Sequence, residues 1–166
     1  MATIVLREAD VDDLPSLSAI SVEARQRYRS LPRLARVVDS APVSMERLKA
    51  GRACVACDGR SILGFALTTP LDGLLFLDNI SVSSAASGRG IGVRLLHHVV
   101  GLARHLDLPA VALTTFRTPP WNGPWFKRHG FEPMADAVQG AGLRKVVVRQ
   151  SKYLDPGMRE VLWRKI

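Results

Sequence analysis

The sequence predicts a single domain over residues 1–166 of the mixed α/β (α+β) class. Its expected core is a twisted, mostly antiparallel sheet of six or seven strands flanked by helices. Three observations lead there. The chain has 166 residues, enough for one full hydrophobic core. Short apolar runs separated by turn residues follow one another along it. One long amphipathic helix separates the run ending at Val82 from the run starting at Val111, as a right-handed crossover between parallel neighbours requires.

Taken in order, residues 2–7 alternate and read as a first strand, beginning at Ala2. Ala9-Asp10 can cap a helix from about Val11 to Tyr28, with Leu14, Leu17 and Ser18 opening its buried stripe and Ile20 or Ser21 continuing it. Residues 31–43, with Pro32 and Pro42, read as an irregular connection. Ser44 starts a short second helix that ends near Gly51. Residues 54–57, 61–69 and 74–82 are strands two to four, turned by Asp58-Gly59 and by Pro70-Leu71-Asp72-Gly73. Helix three runs from about Gly90 to Leu106, its apolar positions Ile91, Leu95, Leu96, Val99, Leu102, Ala103 and Leu106 following a helical period. Residues 111–116 are strand five. A short helix follows, stopped by Gly130, and strand six covers residues 131–134. The tail is ambiguous, because residues 144–149 suit a strand while Leu143, Val147, Gln150 and Leu154 also match helical spacing. A helix over residues 139–153 and a last strand over residues 159–164 satisfy the fold better.

The segment between strand four and helix three carries the chemistry. Gly88, Gly90 and Gly92 alternate within Ser87-Gly88-Arg89-Gly90-Ile91-Gly92-Val93-Arg94. Glycines let backbone approach a bulky group closely. The helix behind them directs unpaired N–H groups and its positive dipole end at the same place. Such a site suits a phosphate or pyrophosphate, and Arg89 and Arg94 add positive charge. The turn lacks the Gly-Lys-Ser or Gly-Lys-Thr ending of a P-loop. Its spacing and mid-chain position also differ from a dinucleotide-binding fingerprint.

This turn resembles the acyl-CoA-binding motif of the GNAT superfamily of N-acyltransferases, which places an arginine or glutamine three residues before Gly-x-Gly. Ser87 stands at that arginine or glutamine position. A second stretch, Asn122-Gly123-Pro124-Trp125-Phe126-Lys127-Arg128-His129-Gly130-Phe131, resembles the family's helix four and its approach to strand six. The resemblance covers residues 51–134 well and is weaker on either side.

The resemblance implies direct transfer of an acetyl group from acetyl-CoA to a primary amine of a small molecule or peptide. The pantetheine arm would pair with free backbone in the wedge between strands four and five. A backbone N–H near Ile80, Ser81 and Val82 would serve as oxyanion donor, and the amides of residues 87–94 would take the pyrophosphate. Asn122 and Phe126 would face the cofactor from helix four. Two residues depart from the pattern: Asn79 stands where members often carry a glutamate, and Phe126 where a tyrosine often protonates the thiolate. Neither replacement moves a proton, which leaves Asp78 as the candidate base. An acyl-CoA-binding module with a regulatory or sensing role is the alternative.

Composition limits the other classes. The net charge is +8, but the basic residues are spread along the chain without a stacking motif, so an anionic cofactor explains them better than nucleic acid does. No run of 18 apolar residues and no signal-peptide pattern occurs, giving the expectation of a cytoplasmic protein with no membrane partner. Cys54 and Cys57 are the two cysteines. They sit in a strand, where residues three apart face opposite sides, and read as core residues rather than as a metal or redox pair. His97 and His98 lie two turns beyond the phosphate turn and read as ordinary helix residues. No metal is expected. The acceptor amine is open, as is the choice between monomer and homodimer.

Overall fold

The computed structural model describes residues 3–166. Ala2, where the sequence starts the first strand, lies outside them. The chain forms two compact units. The strand order through the chain is β1-β2-β3-β4-β5-β7-β6 in one seven-stranded mixed sheet, in agreement with the predicted class.

The first unit runs through Thr68 and takes in Asn79–His98. It holds β1 (Ile4–Glu8), α1 (Leu14–Ala24), α2 (Met45–Ala50), β2 (Arg52–Asp58) and most of β3 (Ser61–Leu71), with the end of β4 (Leu74–Val82) and the start of α3 (Ile91–His105). β1 and β2 are antiparallel from Ile4↔Asp58 to Glu8↔Cys54. β2 and β3 are antiparallel with a register shift at Ala56/Cys57. Leu14, Leu17 and Ile20 of α1 pack with Val43, Leu48, Val55, Phe65 and Leu67 in a buried cluster. Ser44 caps α2, its Oγ accepting from the Arg47 amide at 3.2 Å.

The predicted first helix is divided. Residues 11–13 form a 3-10 turn in which the Asp10 amide donates to Asp13 Oδ2 at 2.7 Å. Pro15 then lies in the first turn of α1, where its missing N–H costs no helix bond. Beyond Ala24 the chain tightens again into a 3-10 stretch, Arg25–Ser30. There Arg25 Nη1 donates to the carbonyls of Ser40 and Ala41 at 2.7 and 2.6 Å, tying down the irregular connection.

The second unit comprises Thr69–Asp78 and Val99–Ile166. It holds the first five residues of β4, with β5 (Ala110–Phe116), α4 (Gly123–Arg128), β6 (Glu132–Pro133), α5 (Ala141–Ser151) and β7 (Arg159–Lys165). β4 and β5 are parallel, as predicted, with registered pairs at Leu75↔Val111 and Phe76↔Ala112. β5 and β7 are antiparallel over their whole length, from Ala110↔Lys165 to Phe116↔Arg159. β6 is shorter than expected: Phe131 is buried just outside it, and the strand ends on Pro133, which has no N–H for the ladder.

The ambiguous tail resolves as α5 followed by β7. Leu143 and Val146 of α5 pack with Phe76 and Met134, while Val148 is exposed, as a helix rather than a strand distributes them. The start of α5 is capped from elsewhere. Asp72, in the β3–β4 turn, accepts from the Gly142 and Leu143 amides at 2.9 and 2.8 Å.

Candidate active site

In the first unit, the end of β4 is held from three sides. The Ser83 amide donates to the Leu63 carbonyl at 2.8 Å. Ser81 Oγ donates to Asn79 Oδ1 at 2.6 Å. Gly64 of β3 lies so close that a Cβ there would sit 2.8 Å from the Ser81 carbonyl oxygen and 3.2 Å from Val82 Cα. Gly64 is therefore a site-shaping residue that the sequence reading passed over.

A one-turn 3-10 segment, Ser84–Ala86, follows, with Ala86 buried. Ser87, Gly88, Arg89 and Gly90 are then exposed, and Ile91, at 1% exposure, anchors the start of α3. Gly88 and Gly90 have φ of 79° and 74°, the left-handed region, which other residues enter at a cost. A Cβ at either would meet nothing within 4 Å. The backbone here faces open space, and the first-turn amides of α3, at Ile91, Gly92 and Val93, have no acceptor within the helix. Backbone curvature, open space and a helix N-terminus thus coincide where the sequence places the pyrophosphate.

The two arginines are more committed than the sequence suggests. Arg89 Nη2 lies 3.4 Å from Asp58 Oδ2. Arg94 Nη2 donates to the Ile4 carbonyl at 2.9 Å, so this side chain is turned to β1. A third charged residue, Glu23 of α1, was not singled out from sequence. Its Oε1 accepts from the Ser84 amide at 2.8 Å, from Ser83 Oγ at 3.2 Å, and from Ser84 Oγ. Hydrogen bonds from Ser84 hold this carboxyl below the ordinary glutamate value. No sequence signal marks it, because the contacts join residues about 60 positions apart.

In the second unit, Asp78 is half-buried on β4, two residues beyond the registered pair Phe76↔Ala112. By strand alternation it shares a sheet face with Phe76. The Asn122 carbonyl accepts from the Phe126 amide at 3.1 Å and so opens α4. Phe126 is 6% exposed and stacks edge-on with Trp125 and Phe131, ring centroids 5.0 and 5.5 Å away. Its ring belongs to the packed interior of this unit. Glu160 of β7, buried beneath α4, lies 3.0 Å from Lys127 Nζ and 3.6 Å from Arg117 Nη1.

Outside these segments, the two cysteines are core residues, as the sequence predicts. Both thiols are buried and unpaired, and burial pushes Cys54 up to about 11. His97 and His98 lie exposed on α3, and His98 is lowered by partial desolvation and then by Arg52. Among the described residues no cluster of three His, Cys, Asp or Glu side chains could hold a metal ion, and no helix is long and apolar enough to cross a membrane.

Several solved structures share this fold. The N-acetylglutamate synthase of Neisseria gonorrhoeae, complexed with coenzyme A and N-acetyl-glutamate, superposes with a TM-score of 0.73 at 20% identity. That match covers 99% of this chain, which spans 35% of the synthase. The PaiA N-acetyltransferase of Thermoplasma acidophilum, in complex with coenzyme A, gives 0.69 at 12% identity over 99% of both chains. The ribosomal-protein-S18-alanine N-acetyltransferase of Escherichia coli gives 0.66 at 15% identity, covering 99% of this chain and 94% of its own. At these identities the likeness concerns the fold. The profile of the Acetyltransferase (GNAT) family matches residues 17–131, spanning the glycine turn, α3, β5 and α4, and the chain belongs to that family.

Proposed function

We propose that this protein is a cytoplasmic N-acetyltransferase that uses acetyl-CoA to acetylate a primary amine of a small molecule or peptide. The observation that carries this reading is the pair Gly88 and Gly90, both in the left-handed region with open space where a side chain would be, followed by the N-terminus of a 15-residue helix. That arrangement suits the pyrophosphate of coenzyme A. Coenzyme A in the complexes of structural neighbours supports the assignment.

In this reading the acceptor nitrogen attacks the thioester carbonyl carbon, and the carbonyl oxygen gains negative charge. A backbone N–H within Ile80–Val82 stabilises that charge. The C–N bond forms, the C–S bond breaks, and the nitrogen gives up a proton. Asp78 receives it through water, and the CoA thiolate takes a proton from solvent. Asn122 and Phe126 contribute to the cofactor site through the fold of α4. Acyl-CoA sensing without turnover is the second reading. It is favoured by the interior placement of Phe126 and by the Asn79 side chain bonded to Ser81, neither of which moves a proton.

Titration calorimetry with CoA and a thiol-release assay across an amine panel test the assignment. Gly90→Leu should abolish CoA binding. Gly73→Leu, which also replaces a glycine of positive φ (75°) in open space, should share its backbone strain and leave binding intact. Equal CoA affinity in wild type and Gly90→Leu would remove the turn from the site. In an active enzyme, Asp78→Asn should lower turnover by roughly 10²–10⁴. CoA binding with no acetylated amine would select the sensor.

A further inference from the structure

We propose that Glu23 is a positioning residue for acyl-CoA binding, holding the segment between β4 and the glycine turn in the conformation that receives the ligand. The proposal rests on the acyl-CoA role assigned above to that turn. Three features of the first unit support it. First, Glu23 sits in the last turn of α1, where the helix dipole disfavours a carboxylate. Its location is not explained by α1's own stability, whereas the three donors it collects from Ser83 and Ser84 compensate it. Second, the 3-10 turn Ser84–Ala86 has no cap of its own: Ser83 makes no side-chain capping bond. The Ser84 amide, the first donor of that turn, is taken by Glu23 Oε1, so the turn is held from α1 rather than by its own N-cap. Third, Ser83 is gripped twice, by Glu23 through Oγ and by the Leu63 carbonyl through its amide.

The consequence follows from chain connectivity. Ile80–Val82 lies immediately before the gripped pair, and Gly88–Gly90 begins four residues after Ser84. At the far side the turn is pinned by buried Ile91. With both ends fixed, the exposed residues 87–90 have little conformational freedom left to lose on binding, and that pre-organisation favours affinity. All three contacts converge on one carboxylate oxygen, Oε1. Glutamine retains an acceptor there and leucine retains none.

The test is calorimetry with CoA, acetyl-CoA kinetics and amide hydrogen exchange on wild type, Glu23→Leu, Glu23→Gln and Ser84→Ala. Glu23→Leu should weaken CoA binding tenfold or more, raise KM for acetyl-CoA with little change in kcat, and speed exchange at the Ser84 amide. Glu23→Gln should recover most of the affinity. Ser84→Ala, which keeps the amide donor, should lose a few-fold and preserves the test if Glu23→Leu fails to fold. Ser21→Ala is the structural control. Ser21 Oγ holds the Val43 amide at 3.2 Å from the same helix, so its loss should lower stability and leave CoA affinity unchanged. CoA affinity in Glu23→Leu equal to wild type would overturn the inference and leave the acyl-CoA reading standing. Wild type that binds no CoA would overturn both.

Discussion

Replacing Gly64 with alanine puts one methyl group where the structure has none to spare. The new Cβ would lie 2.8 Å from the Ser81 carbonyl oxygen, 3.2 Å from Val82 Cα and 3.3 Å from Ile91 Cγ2. The two closest atoms are backbone, so no side-chain rotation relieves the clash, and β4 must move by roughly half an ångström to reach ordinary contact distance. Overpacking of this kind costs about 1–3 kcal/mol. Lowered entropy of the unfolded chain returns about 0.4–1 kcal/mol. The net loss is about 1–2 kcal/mol, a fall in Tm of roughly 2–8 °C for a chain of this size. The atoms displaced belong to the segment proposed to carry the oxyanion donor, so CoA affinity should fall with stability. Thermal melts and CoA calorimetry give both numbers. Gly101→Ala is the matched control: exposed, inside α3, with nothing within 4 Å of a new Cβ, it should gain up to about 1 kcal/mol. A Gly64→Ala protein that melts and binds CoA like wild type would refute the reasoning.

Three further outcomes are expected. Asp72→Ala removes both cap bonds of α5 and should cost about 0.5–2 kcal/mol by urea unfolding, with loss of helical signal; an unchanged midpoint would show that α5 needs no cap. Acid should destabilise the first unit. Asp13, bonded to Arg7 at 2.6 and 3.1 Å, and Glu23 are both held below their ordinary values of 3.8 and 4.5; their contribution is therefore full above those values and is lost as pH falls through the lower folded ones. Unfolding curves between pH 6 and 3 should flatten in an Asp13→Asn, Glu23→Gln double variant. Finally, Cys54, buried with its thiol pushed up to about 11, should not react with a disulfide reagent at pH 8 until the protein is unfolded; stoichiometric labelling of native protein would contradict its placement.

What sequence alone made readable followed from periodicity and punctuation. β4 appears at its predicted bounds, Leu74–Val82, because turn residues close it on both sides. α3 and α2 lie within a residue of theirs, the first from its apolar repeat and the second from Ser44 and Gly51. The 3-10 stretches around α1 were invisible, since they depend on Asp13 meeting the Asp10 amide and Arg25 meeting carbonyls 15 and 16 residues away. The candidate site divides in the same way. The glycine turn announces itself by composition. Gly64 and Glu23 do not, because each acts on a stretch of chain distant in sequence. Arg94 reads from sequence as positive charge beside the turn; that its guanidinium bonds to the Ile4 carbonyl, 90 positions away, is legible only in the fold.

The cap on α5 bears on how the chain folds. Gly140 precedes the helix and offers no side chain, while Asp72, some 70 residues earlier, supplies both acceptors. An 11-residue helix is marginal alone, so a peptide of residues 139–153 should be largely unstructured in water. In the intact chain α5 gains these cap bonds only once the β3–β4 turn is in place. Its stable formation should therefore come late in folding, after a contact that spans some 70 residues has closed. The Gly142 and Leu143 amides are accordingly built-in clocks: their protection from hydrogen exchange during refolding should appear only when residues 69–78 have reached their native positions.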